Sequence, residues 1–138
     1  MRGIWIGLAL ALTAPAASAQ AQQQPNLCFS DTATDDQKID ACTALIQSPR
    51  NPLGQAVAYV IRSVAYENKG LYDQVIADDT QAIALWPDYA AAYYYRGIAY
   101  EKKGLRDPAV ADYRAAWKLD PDHQQAARDA LTRLGVTP

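Results

Sequence analysis

Few side chains in this sequence could hold a metal ion or a redox cofactor. The 138 residues include two cysteines, one histidine and one methionine, which is too little material for a His/Cys metal cage or a redox cluster. Thirteen Lys and Arg against 15 Asp and Glu give a formal net charge of −2, so there is no basic excess to neutralise a phosphate backbone. We therefore expect no metal ion, no cofactor and no nucleic-acid partner.

Long apolar runs are also scarce. The run Ile4–Leu12 is well short of the roughly 20 residues that a membrane-spanning helix needs. It follows a positively charged start and precedes Ala17–Ala19, whose small side chains fit a signal-peptide cleavage pattern. The sequence thus predicts a secretory signal peptide over residues 1–19, cleaved after Ala19, and a flexible polar leader over 20–27. We expect an exported, periplasmic mature chain that does not insert into the membrane.

An internal repeat organises the rest of the chain. A shift of 34 residues aligns Ala56–Tyr89 with Ala90–His123, and 17 of the 34 aligned positions are identical. A period of this length is typical of stacked helical arrays. Gly70 and Gly104 each separate two stretches of helical length, so each unit is predicted to be a helix, a tight turn and a helix. The two units are assigned to residues 55–89 and 90–123.

Aromatic, small and proline residues recur at fixed positions of the second unit. They are Tyr93, Gly97, Tyr100, Gly104, Ala109, Tyr113, Ala116 and Pro121. In this pattern the unit closely resembles the tetratricopeptide repeat (TPR) family. The first unit matches more loosely, with Ser63, Val75 and Asp79 at three of these positions. The resemblance implies an all-α, right-handed solenoid of antiparallel helix pairs whose concave face binds peptides or protein segments, and it implies no reaction.

Incomplete elements flank the two units. Asp36–Ile46 aligns with Asp73–Ile83 at an offset of 37 residues, so residues 28–54 are predicted to form a half repeat that lacks its first helix. After the second unit, residues 124–138 are predicted to form a capping helix and tail. The end of a solenoid exposes an apolar face, which a helix with one apolar and one polar side can cover. The apolar stripe of this helix comprises Ala127, Ala130, Leu131 and Leu134.

Pro108 lies near the start of the last helix of the second unit. Proline is tolerated in the first turn of a helix, where its missing N–H would have no intrahelical partner. We expect Asp107 to be the N-cap of that helix.

The two cysteines are predicted to form a structural disulfide. Cys42 aligns with the packing positions Asp79 and Tyr113, so a bond to Cys28 would hold the incoming segment where a helix normally lies. Closing a loop of about 15 residues contributes on the order of 3 kcal/mol in the chain-entropy model, and export supplies an oxidising compartment. A catalytic dithiol is the alternative, but such pairs usually occur as Cys-x-x-Cys, whereas these cysteines are 14 positions apart.

Each unit also has an arginine followed sixteen residues later by an aspartate. The pairs are Arg62 with Asp78 and Arg96 with Asp112. These arginines could bind a phosphate or carboxylate ligand. They share a helix face with the tyrosines that pack inside each hairpin, which favours structural ion pairs between the two helices of a unit.

The resemblance assigns a binding groove to the first helices of the units. Its predicted lining is Val57, Val60, Val64, Glu67, Asn68, Ala91, Tyr94, Ile98, Glu101 and Lys102. Chaperone-adaptor members of the family hold a terminal carboxylate with Lys and Asn, but Val60, Val64, Tyr94 and Ile98 fill the corresponding sites here. We expect an apolar and aromatic groove that suits a hydrophobic or helical segment, unless the chain's own termini or a second copy cover it.

Neither the serines nor the histidine form a nucleophile–base pair, so no catalytic residue is assigned and no enzyme is predicted. The resemblance, which includes short Cys-containing repeat proteins of bacterial envelopes, implies a protein–protein interaction module of the cell envelope. Two alternatives remain open. One is a self-associating structural subunit, hence a homo-oligomer, and the other is a thiol-disulfide enzyme that uses Cys28 and Cys42.

Overall fold

The computed structural model describes residues 25–47 and 51–137. In these ranges all regular structure is helical, which confirms the predicted all-α class. The elements are a 3₁₀ helix at Pro25–Phe29 and six α-helices: α1 Asp35–Gln47, α2 Pro52–Asn68, α3 Tyr72–Leu85, α4 Ala90–Lys102, α5 Arg106–Leu119 and α6 Pro121–Arg133. The predicted signal peptide lies outside the described residues, as does most of the leader. The last three leader residues, 25–27, belong to the 3₁₀ helix instead.

Each helix packs against the next along the chain. In addition, α2 contacts α4, and α4 contacts α6, while the 3₁₀ helix packs mainly on α1 and touches α2. Helix α1 therefore contacts both the 3₁₀ helix and α2. This arrangement places α1, α2 and α4 around one shared surface.

Identical turns end α2 and α4. Gly70 and Gly104 have φ of 72° and 75°, a left-handed conformation that glycine adopts without a Cβ penalty. The Gly70 N–H donates to the carbonyl of Glu67 at 2.8 Å, and the Leu71 N–H donates to the carbonyl of Tyr66 at 2.9 Å, which is the Schellman pattern. These are the glycines predicted to separate the paired helices. The same bonding pattern, with Gly135, ends α6.

Three helix starts differ from the sequence-based boundaries. Helix α2 begins at Pro52, inside the predicted half repeat, because the Asn51 side chain caps it by accepting from the Leu53 N–H at 3.0 Å. Helix α6 begins at Pro121, inside the second predicted unit. Asp107 was expected to be the N-cap of α5, but it lies inside the helix, which begins at Arg106. Leu105 takes that place because it closes the preceding Schellman turn and its carbonyl then accepts from the Ala109 N–H.

The described residues form three core clusters with many alanines, which let helix backbones approach closely. The first contains Cys28, Ala41, Cys42 and Ala58; the second contains Ala56, Val60, Ala82, Ala91 and Ala92; the third contains Ala109, Val110, Tyr113, Ala116, Ala127, Ala130 and Leu131. The stripe predicted for α6 thus packs into the third cluster, and the opposite face of α6 is exposed and polar. Helix α6 covers the end of the stack.

Among the glycines that the structure describes, Gly97 has the least space for a side chain, because it lies beneath the buried ring of Tyr113. A Cβ at residue 97 would lie 2.9 and 3.0 Å from two ring carbons, and the Tyr113 hydroxyl is held by Glu101 at 2.7 Å, so the ring has little freedom to move. We expect Gly97→Ser to lower the free energy of unfolding by about 1–3 kcal/mol through overpacking. Urea denaturation followed by far-UV circular dichroism measures this change.

Gly54→Ala is the matched control, because the nearest atom to its Cβ would be 3.9 Å away. Replacing this exposed helical glycine is expected to leave stability unchanged or to raise it by about 0.5–1 kcal/mol. A Gly97→Ser variant as stable as wild type would contradict the tight contact between Gly97 and Tyr113.

Candidate binding groove

Helices α1, α2 and α4 line an open pocket of about 310 Å³. Its lining residues are Asp35, Lys38, Val60, Ile61, Val64, Ala65, Asn68, Tyr89, Ala91 and Tyr95. Four of them, Val60, Val64, Asn68 and Ala91, belong to the predicted groove. The floor is aliphatic, and two tyrosines form part of the wall, as is common in pockets that bind apolar groups.

The pocket lies where α1 is incompletely covered. Cys28 and Cys42 are bonded, with a sulfur–sulfur distance of 2.06 Å, and both side chains are fully buried against Ala41 and Ala58. The 3₁₀ helix thus covers the middle of α1. Asp35 and Lys38, in the first turn and a half of α1, line the pocket instead. The disulfide therefore anchors a short segment that covers only part of the face left free by the missing first helix.

Polar contacts fix the start of α1 to the end of α2. The Asn68 amide donates to the Asp35 carboxylate at 3.0 Å, and the Lys69 ammonium pairs with Asp36 at 2.6 Å. One repeat later, Lys103 pairs with Asp73 in the same way. Asn68, predicted as a groove residue, thus positions the rim of the pocket as well as lining it.

The tyrosines of the pocket are neutral hydrogen-bond donors. Burial raises the pKa of both Tyr89 and Tyr95, and nearby acidic groups, including Asp79, raise them further. Within the residues that the structure describes, neither hydroxyl has a hydrogen-bond partner. Tyr89 stacks on Trp86 with ring centroids 4.5 Å apart, which fixes the ring at the pocket wall.

Helix α6 contacts much of the other half of the predicted groove. Tyr94 and Ile98 pack against the cluster that contains Tyr113 and residues of α6. Glu101 accepts hydrogen bonds from the Tyr113 hydroxyl at 2.7 Å and from Arg133 at 2.8 Å. The Arg133 contact lowers the pKa of Glu101 and holds it as a carboxylate. Glu101 therefore contacts the chain's own C-terminal helix, and Tyr94 and Ile98 pack against the cluster to which that helix contributes.

The structure divides the ten predicted groove residues into separate surfaces. Val57, Glu67 and Lys102 line neither the pocket nor the contact with α6 described above. Conversely, the prediction did not include six residues of the pocket: Asp35, Lys38, Ile61, Ala65, Tyr89 and Tyr95. Ile61 and Tyr95 occupy the same repeat position, 34 residues apart, so one rule that included this position would have found both.

The first arginine of the repeat binds three helices together. Arg62 donates two hydrogen bonds to the Asp78 carboxylate on α3, at 2.7 and 2.8 Å, and one to the Thr43 hydroxyl on α1, at 2.7 Å. The rings of Tyr59 and Tyr66 lie on either side, with centroids 5.6 and 5.8 Å from the guanidinium carbon. The hydrogen bond with Asp78 raises the pKa of Arg62 despite its burial.

The second arginine repeats this arrangement one unit later. Arg96 donates two hydrogen bonds to Asp112 on α5, both at 2.8 Å, and one to Thr80 on α3 at 3.1 Å, between the rings of Tyr93 and Tyr100. The sequence indicated the Arg–Asp pairs but not the threonines, which connect each unit to the preceding one. Because both guanidinium groups are engaged by the chain itself, they are not a site for an anionic ligand.

Asp79 is a buried carboxyl group between α2 and α3. The Ser63 hydroxyl oxygen lies 2.8 Å from Asp79 Oδ1 and 2.9 Å from the carbonyl of Val60. One hydroxyl hydrogen cannot serve two acceptors, so a protonated Asp79 satisfies the group best: it donates to Ser63, which donates to Val60. Burial raises the pKa of Asp79 well above its usual range. Within the described residues, Oδ2 has no partner.

Stability is therefore expected to fall with rising pH through Asp79. The folded state holds the Asp79 proton more tightly than the unfolded state does. The contribution of this proton to the free energy of unfolding is therefore complete below about pH 4. It is lost as the pH rises through the folded pKa of Asp79, by up to about 1.4 kcal/mol per pH unit. Asp78 and Asp112 raise the pKa of Asp79 further, whereas a hydrogen bond from Ser63 to the ionised carboxylate and the charge of Arg96 lower it. Asp79→Asn keeps the shape of the neutral acid. Relative to wild type, its free energy of unfolding should therefore improve progressively as the pH of urea denaturation is raised.

Asp88→Asn, at an exposed position, is the control for that experiment and should follow the wild-type pH profile. A constant difference between Asp79→Asn and wild type across this range would contradict a proton held on Asp79.

No protein-family model and no curated protein matches this sequence. Among the described residues, no group of three or more His, Cys, Asp or Glu side chains is placed to hold a metal ion. None of the helices in the described ranges has the length and apolar character that crossing a membrane requires.

Proposed function

We propose that this chain is a non-catalytic protein-interaction module that binds a peptide or protein segment in the pocket between α1, α2 and α4. The observation that carries the proposal is the open, aliphatic pocket itself, with Tyr89 and Tyr95 in its wall. Tyrosine offers a large contact area at a low cost in conformational entropy, and apolar pockets with a few polar groups are typical binding sites.

We also propose that the helix pairs form a TPR-like, right-handed solenoid in the cell envelope. The 34-residue period, the equivalent turns at Gly70 and Gly104 and the equivalent Arg–Asp pairs support the repeat architecture. The Cys28–Cys42 bond supports export, because disulfides persist mainly in oxidising compartments. Both sulfurs are fully buried, which favours a structural role over thiol–disulfide exchange, a reaction that requires access to a sulfur atom.

Site-specific photo-crosslinking tests the proposed function. A photoreactive residue at position 64, in the pocket, is compared with one at position 114, which is exposed on α5. We expect an adduct with a partner from position 64 alone. The captured protein is then purified, and its affinity is measured for wild type and for Val64→Arg, which places a charge in the aliphatic floor. A loss of affinity of about tenfold or more is expected, with unchanged circular dichroism.

Equal capture from positions 64 and 114, or an affinity that Val64→Arg does not change, would refute binding in this pocket. An adduct of twice the chain mass from position 64 would instead favour the self-associating subunit.

A further inference from the structure

In the described part of the chain, the charged side chains of the pocket lining are Lys38 and Asp35, both at the start of α1. Lys38 is half-buried at the pocket, and no acidic side chain pairs with its ammonium group in the described part of the chain. Within the ranges 25–47 and 51–137, the hydroxyls of Tyr89 and Tyr95 have no hydrogen-bond partner either. Asp35 also lines the pocket, and one oxygen of its carboxylate accepts a hydrogen bond from Asn68 at 3.0 Å. At its rim the pocket therefore presents a lysine whose ammonium group has no acidic partner among the described residues, beside an apolar floor.

Such a rim limits which segments can bind. A partner that displaces water from Lys38 with purely apolar atoms leaves an ammonium group without an acceptor, which is costly. A carboxylate removes this cost, because a charge-assisted hydrogen bond is stronger than one between neutral groups. Among the described residues of the lining, Lys38 is the single cation, which suits one side-chain carboxylate.

We propose that the bound segment carries an internal Asp or Glu close to a large apolar side chain. The apolar side chain occupies the floor formed by Val60, Val64 and Ala91, and the carboxylate accepts a hydrogen bond from the Lys38 ammonium. This assignment rests on the proposed function, since it names the chemistry of the partner for the same pocket. It differs from recognition of a chain terminus because the acidic group belongs to a side chain.

Peptide selection tests the assignment. A phage library of random dodecapeptides, fused so that their C-termini are not free, is selected on the immobilised, disulfide-bonded chain. Wild type is expected to enrich peptides with Asp or Glu near a large apolar residue. Lys38→Met is expected to weaken binding of the selected synthetic peptides by about tenfold or more at low salt, and added salt should reduce that difference.

Charge reversal gives the sharper readout. Lys38→Glu is expected to enrich peptides with Lys or Arg in place of the acid, whereas Lys118→Glu, exposed at the end of α5, should select the wild-type motif. Selection of the same peptides by wild type and Lys38→Glu would overturn the role of Lys38. If Val64→Arg still abolished binding in that case, the pocket itself would stand.

Two further results would overturn the assignment. If wild type enriches no peptide over Val64→Arg, the proposed function fails together with the inference. If sedimentation velocity shows that wild type dimerises and Val64→Arg does not, the occupant is a second copy of the chain and not an acidic segment.

Discussion

Replacing Arg96 by alanine is expected to lower the free energy of unfolding by about 3 kcal/mol, because it leaves the Asp112 carboxylate buried without its partner. The Arg96 and Asp112 side chains are only 17% and 8% exposed, and two hydrogen bonds of 2.8 Å join them. The same change removes the hydrogen bond to Thr80 and the packing between Tyr93 and Tyr100. Urea denaturation at neutral pH measures the loss.

The double variant Arg96→Leu/Asp112→Leu is the control that separates charge from packing. Replacing both partners by apolar side chains removes the desolvated charges together, so the loss should be smaller than for Arg96→Ala. Lys103→Ala breaks an exposed ion pair with Asp73 and should have little effect. A double variant that is less stable than Arg96→Ala would show that the ion pair contributes more than the cost of its desolvation.

Removing the disulfide is expected to cost about 2–5 kcal/mol. In the double variant Cys28→Ser/Cys42→Ser, the unfolded chain regains the freedom of the loop between these residues. Two hydroxyls also replace sulfurs in a fully buried site. The effect should be concentrated near α1, because the 3₁₀ helix packs mainly there. Denaturation of oxidised wild type and the double variant measures the difference, and hydrogen exchange locates it.

Reductant provides the internal control for this experiment. Reduced wild type should lose stability, whereas the double variant, which has no thiol, should be insensitive to reductant. A wild-type chain whose stability does not change on complete reduction would contradict the structural role of the bond.

Local features of this fold could be predicted from the sequence, and long-range ones could not. The turns at Gly70 and Gly104 leave a local signature, because only a few residue types suit a left-handed conformation between two helices. The start of α2 also had a local signal in Asn51 and Pro52. The predicted boundary at residue 55 instead followed the repeat alignment, which begins at Ala56.

The pocket depends on how distant segments pack. Lys38 and Tyr95 lie far apart in sequence, and only the placement of α1 against α2 and α4 brings them to one surface. The repeat pattern described α2 and α4 as equivalent, so it could not indicate that one half of the groove is open while α6 contacts the other. Asp79 appeared in the sequence only as a departure from the repeat, whereas the raised pKa of its carboxyl group follows from its burial between α2 and α3.

The hydrogen bonds of Arg62 to Thr43 and of Arg96 to Thr80 affect how the molecule unfolds. Asp78 and Thr80 lie on the same helix, yet Asp78 binds Arg62 and Thr80 binds Arg96, so α3 takes part in both polar clusters. Fraying of either end would leave a guanidinium or a carboxylate partly buried without its partner. In a linear array the coupling between neighbours decides whether units melt separately or together. We expect these contacts to make the short array cooperative, with a single unfolding transition by all probes.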